Sequence, residues 1–81
     1  MIEIILLWGK SDYAIEHWAE APELVEYNGV AFSRRAGPRD TVETSHEPVA
    51  VYAADELTEE EFQDLFYLLQ PKIPALGLKF S

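Results

Sequence analysis

Two histidines, a Gly-Lys-Ser triplet, a Ser-His pair, three clustered arginines and a long acidic run are the residues of this chain that could do chemistry. His17 follows Glu16, and His46 lies between Glu43 and Glu47. Imidazole and carboxylate are both ligands for a hard or borderline metal. Neither histidine has a second one three or four residues away. A metal site therefore needs the two segments to converge in the fold, and surface or partly buried histidines are the plainer reading. No metal and no cofactor is expected.

Gly9-Lys10-Ser11 shares its letters with the end of a phosphate-binding loop. Such a loop needs a glycine five residues before its second one, so that backbone N–H groups wrap the phosphates. Here that position is Ile4, inside an apolar run, so an ordinary turn after a strand is expected. Ser45 and His46 are neighbours, and neighbours in a strand point to opposite faces, which prevents the hydrogen bond a serine nucleophile requires. Carboxylates are so plentiful that no one pair stands out as a general acid and base. No catalytic residue is assigned, and the chain is expected not to be an enzyme.

The acidic run is the strongest signal. Nine acids lie between Asp40 and Asp64 with no Lys or Arg among them, against a formal net charge of −9 for the whole. Arg34, Arg35 and Arg39 just before it make up half of the six basic residues. They could grip a phosphate or a partner carboxylate. The simpler expectation is that they neutralise nearby acids, with Glu23 across from Arg34 and Asp40 beside Arg39. A field this lopsided favours basic partners and repels nucleic acid, whose affinity rests on phosphate contacts.

The elements that must position these groups follow from local pattern. Residues 2–8 form a near-continuous apolar run, expected as a strand buried on both faces. Ser11 or Asp12 could cap a helix. Over residues 12–20, Ala14, Ile15, Trp18 and Ala19 give helical spacing while Tyr13, Ile15 and His17 alternate. The Ala-Glu composition and Pro22 predict a short helix there. Asn28-Gly29 predicts a type I′ hairpin that sets Tyr27 opposite Val30 and Val25 opposite Phe32. Val25, Tyr27, Val30 and Phe32 then share an apolar face, with Glu26, Ala31 and Ser33 toward solvent.

Ala36-Gly37-Pro38-Arg39-Asp40 reads as a loop, and residues 41–46 and 49–54 as strands interrupted at Glu47-Pro48. Thr58 and Glu61 make a capping box leading into Phe62, Leu65, Phe66 and Leu69, a core-facing stripe. Glu60, Asp64 and Tyr67 fall on the outward side, and Tyr67 is read either as a partner contact or as lying flat on its neighbours. Pro71 ends that helix, and residues 76–80 suit a last strand. The fold class is α+β, one domain over residues 1–81, with an antiparallel or mixed sheet of four to five strands in the order β-α-β-β-β-α, and a helix or two on one face. A ferredoxin-like split βαβ arrangement is one candidate.

Eighty-one residues without cysteine exclude disulfides, thiolate metal sites and a cysteine nucleophile, and leave little room for a deep substrate cavity. The apolar N-terminal run lacks a basic flank and carries Glu3, which argues against a signal peptide. No run approaches bilayer length, and the expected setting is the cytoplasm. The expected function is an acidic protein-binding module that occupies a basic groove, such as that of a nucleic-acid-binding protein or complex. Asp55, Glu56, Glu59, Glu60, Glu61, Asp64 and Tyr67 are the candidate contacts. These acids have an equally plain reading as a solvated, helix-stabilising face. Small size, acidity and lack of cysteine resemble those of phage-encoded inhibitors of host defence or transcription, a likeness of composition that rests on no motif. It implies an anti-defence inhibitor as one form of the binder. A self-associating assembly subunit is the alternative, and a small enzyme the third reading.

Overall fold

A computed structural model describes residues 1–40 and 46–77. Five strands and one α-helix occur among them: β1 (Ile2–Leu7), β2 (Tyr13–Trp18), β3 (Leu24–Tyr27), β4 (Val30–Arg39), β5 (Val49–Ala54) and α1 (Glu59–Leu69), followed by a 3₁₀ turn at Pro74–Gly77. The expected strand over residues 41–46 and the expected last strand over 76–80 fall largely outside the described residues.

The sheet has the order β2-β1-β5-β4-β3. β1 with β2, β3 with β4, and β4 with β5 pair antiparallel, and β1 lies parallel to β5. The two edges, β2 and β3, are consecutive in the chain and joined only by residues 19–23. So short a connection forces the edges toward each other, and the sheet curls. Tyr27 on β3 donates to the Glu16 carboxylate on β2 across 2.7 Å, bridging the edges with side chains where no backbone ladder forms.

Curling gives the sheet an inner and an outer face. Ile4, Leu6, Phe32, Ala50, Tyr52 and Ala54 fill the inside, with Trp8, Trp18, Val25 and Tyr27 around them. Outside, Ile5, Leu7, Val49, Val51 and Ala53 meet Phe62 and Leu69 of α1 and Ile73, Ala75 and Leu76 beyond it. From Ile4 to Leu7 in β1 and throughout β5 the residues are apolar without a break, because both faces of the sheet are covered there. Each fully buried Ile or Leu there contributes about 1.5–3 kcal/mol.

The short helix expected over residues 12–20 is instead strand β2. Tyr13, Ile15 and His17 face out while Ala14, Glu16 and Trp18 face in, and all six residues pair with β1. A six-residue ladder plus the Trp18–Tyr52 ring contact outweighs a modest helical propensity. Asp12 caps no helix; it and Gly9 exchange backbone hydrogen bonds that close the β1–β2 turn. With a strand in place of that helix, a split βαβ arrangement is not formed. The hairpin register is as expected, with Tyr27 opposite Val30, Val25 opposite Phe32, and positive φ at Asn28 and Gly29.

The segment 36–39 is not a loop but the bulged end of β4. Proline is tolerated there because a bulge asks no ladder bond of it. Gly37, at φ 81°, lies against the β5 backbone, where a Cβ would stand 3.0 Å from the Ala50 Cα.

Candidate functional site

Because β1 and β5 run parallel, the turns leaving their carboxyl ends stand side by side: residues 9–12 after β1 and 55–58 after β5. The β3–β4 turn joins them at this end, held by the Asp55 N–H donating to the Ala31 carbonyl at 2.9 Å. Helix α1 also starts here. One end of the molecule therefore gathers Asp12, Asp55, Glu56, Glu59, Glu60 and Glu61, with Lys10 and Arg35 as nearby cations. We refer to it as the acidic pole.

The seven candidate contacts separate into groups of different use. Glu61 works within the capping box: it accepts from the Thr58 N–H at 2.9 Å while its own N–H donates to Thr58 Oγ1 at 3.1 Å. Those bonds, the backbone one foremost, lower the Glu61 pKa from the usual carboxylate value. Glu59 reaches Arg35 at 3.4 Å, an exposed and weak pair. Asp55 and Glu56 sit on the turn before α1, beside Gly29, Val30 and Ala31. Glu60 and Asp64 are exposed on the outer side of α1, and Tyr67 follows them there, 70% exposed. Among the described residues no ion pair reaches Asp55, Glu56, Glu60 or Asp64.

Beside these acids lies a cleft of about 270 Å³, lined by Trp8, Gly9 and Lys10 on one wall and by Leu57, Glu61, Asp64, Leu65 and Leu68 on the other. Leu65 departs from the core stripe that its spacing with Phe62, Phe66 and Leu69 predicts. Phe62 and Leu69 are buried and Phe66 packs on their cluster, whereas half-buried Leu65 faces this cleft. Nothing local in the sequence links Trp8 to Leu68. Their approach depends on the parallel pairing of two strands far apart in the chain.

The arginines are structural where they are best ordered by contacts. Arg34 shares the inner face with its ladder partner Tyr52, and its guanidinium donates to the Ala21 carbonyl while the Tyr52 hydroxyl donates to that of Pro22. Together they pin the 19–23 connection that closes the curl. Burial raises the Tyr52 pKa, and the Arg34 charge partly offsets the rise. Arg35 points outward, donating to the carbonyls of Ala54 at 3.1 Å and Leu57 at 2.7 Å and lying over the Phe62 ring. The expectation that Glu23 neutralises Arg34 is corrected: the Glu23 backbone carbonyl accepts the Arg34 backbone N–H at 2.8 Å, and the guanidinium goes to the Ala21 carbonyl. Five fixed donors suit carbonyls that have no ladder partner.

The two histidine segments do converge. His17 Nδ1–H donates to Glu47 at 2.8 Å, and His46 Nδ1–H donates to the Glu47 carbonyl at 2.7 Å. Glu16 is not part of this group, since neighbours on a strand face opposite ways and it serves Tyr27. Glu43 and Ser45 lie outside the described residues. Among the described residues no group of three or more His, Asp or Glu is arranged to hold a metal, and no helix is long and apolar enough to cross a membrane. No family model, curated protein or solved structure matches the chain.

Proposed function

We propose that this chain is a non-enzymatic, cytoplasmic protein-binding module whose acidic pole occupies a basic groove on a partner. The observation that carries the reading is the set of exposed carboxylates that no ion pair among the described residues reaches: Asp55 and Glu56 on the turn, Glu60 and Asp64 along α1, with Tyr67 beyond them. A groove built for nucleic-acid phosphates is lined with Lys and Arg, and carboxylates spaced along a helix meet the same charges. An inhibitor that competes with nucleic acid for such a groove, in the manner of anti-defence proteins, is the form of binder this chemistry favours.

Glu60→Lys with Asp64→Lys tests it. Both residues are exposed and neither belongs to the cap, so the fold is kept while like charges meet the partner. Capture of a basic partner from lysate should fall severely, and wild-type capture should weaken as salt rises. Salt-insensitive capture that survives the double reversal rejects the reading. Self-association is then favoured, because edge strand β2 turns Tyr13 and Ile15 outward, Ile15 being 41% exposed. Sedimentation of the purified chain measures that directly.

A further inference from the structure

We propose that the cleft between the β1–β2 turn and α1 receives a single apolar side chain of the partner, a leucine, methionine or phenylalanine, whose flanking lysines or arginines lie over Glu60 and Asp64. This rests on the acidic pole being the partner-binding surface, and it names what that surface reads besides charge.

The cleft exists because parallel β1 and β5 deliver their turns to the same end, leaving a gap that α1 borders without filling. Its walls are mostly apolar: half-buried Trp8 on one side, and Leu57, Leu65 and Leu68 on the other. Leu68 is 48% exposed, so its apolar surface is only partly used in the fold. At about 270 Å³ the space falls below the range of about 300–1,000 Å³ in which small-molecule sites lie, and suits one side chain.

The charges around it choose the occupant. Asp64 stands on the helix wall, with Glu60 one turn before it and Glu61 held by the cap. Lys10 stands on the opposite wall. An acidic peptide or a phosphate is repelled by the helix wall. A purely basic segment meets the carboxylates and leaves the apolar walls wet. An apolar anchor with basic flanks satisfies both, and Lys10 directs those flanks toward α1. Anchors of this kind, buried at the centre of a charged rim, carry most of the energy of many interfaces.

The test uses the whole chain and two synthetic peptides of equal charge. One has a leucine between Lys-Arg pairs, and the other has glycine in its place. Wild type should bind the leucine peptide roughly tenfold tighter or better. The Trp8 indole N–H resonance should shift with the leucine peptide and not with the glycine one. Leu68→Ser should erase the preference and keep the affinity for the glycine peptide. Glu60→Lys with Asp64→Lys should weaken both peptides alike. Equal binding of the two peptides by wild type, or an unmoved Trp8 resonance, overturns the cleft and leaves the acidic pole standing. Failure of both peptides to bind at low salt overturns the pole and the cleft together. Should Leu68→Ser not fold, the wild-type preference and the Trp8 resonance decide by themselves.

Discussion

Tyr27 donates its hydroxyl to Glu16 across 2.7 Å, and by doing so joins the two outermost strands of one sheet. Tyr27→Phe keeps the ring contacts with Trp8 and Phe32 and removes only this bond. We expect faster amide exchange in β2 and β3, a small loss of stability, and an altered Trp8 environment by fluorescence. Unchanged exchange in both edge strands would mean that ring packing alone closes the curl.

The same bond sets an alkaline dependence. The Glu16 hydrogen bond, with burial and the Glu16 charge behind it, raises the Tyr27 pKa; burial raises that of Tyr52. A raised value means that the native state holds the phenol proton more firmly than the unfolded chain does. The stabilisation is complete below the unfolded tyrosine value of about 10 and is lost as pH climbs through the folded one. Absorbance titration should show late-ionising phenols that Tyr27→Phe and Tyr52→Phe each diminish.

Gly29 and Gly37 both have positive φ, but their surroundings differ. Nothing lies within 4 Å of a Cβ added at Gly29, so Gly29→Ala costs only the backbone strain, about 1–2 kcal/mol. At Gly37 the same Cβ also meets the β5 backbone. Gly37→Ala should therefore lower the denaturation midpoint further than Gly29→Ala, and the reverse order would contradict the close approach of β4 to β5.

Arg35→Ala leaves the carbonyls of Ala54 and Leu57 without their guanidinium donor and uncovers Phe62. A loss of roughly 3 kcal/mol in urea unfolding is expected. Arg39→Ala, at an exposed position, should change stability by less than about 0.5 kcal/mol. Similar effects from the two would show that the arginine cluster serves charge, not structure.

Thr58→Ala removes the cap and should cost about 1 kcal/mol near neutral pH. Glu61 has a lowered pKa because of Thr58, so its contribution is present above the ordinary carboxylate value and disappears as pH falls through the folded one. The difference between wild type and Thr58→Ala should accordingly shrink in acid, read from unfolding at about pH 3. A difference independent of pH would leave the Thr58 hydroxyl as the whole cap.

What the sequence determined by itself is local. Asn28-Gly29 admits two positive φ angles, and the hairpin with its register follows within a few residues. Thr58 and Glu61 satisfy each other across one helical turn, and unbroken apolar runs can only be strands or helices covered on both sides. The acidic run was legible too, as composition. The strand at β2 was not, because its apolar residues fit both periods and pairing with β1 decided between them. Parallel contact of β1 with β5 has no sequence signature, since it joins residues separated by more than half the length of the chain. From it come the shared end of three turns and the cleft between Trp8 and Leu68. The roles of Arg34 and Arg35 were equally hidden: their guanidiniums go to the carbonyls of Ala21, Ala54 and Leu57, which only the tertiary structure brings within reach.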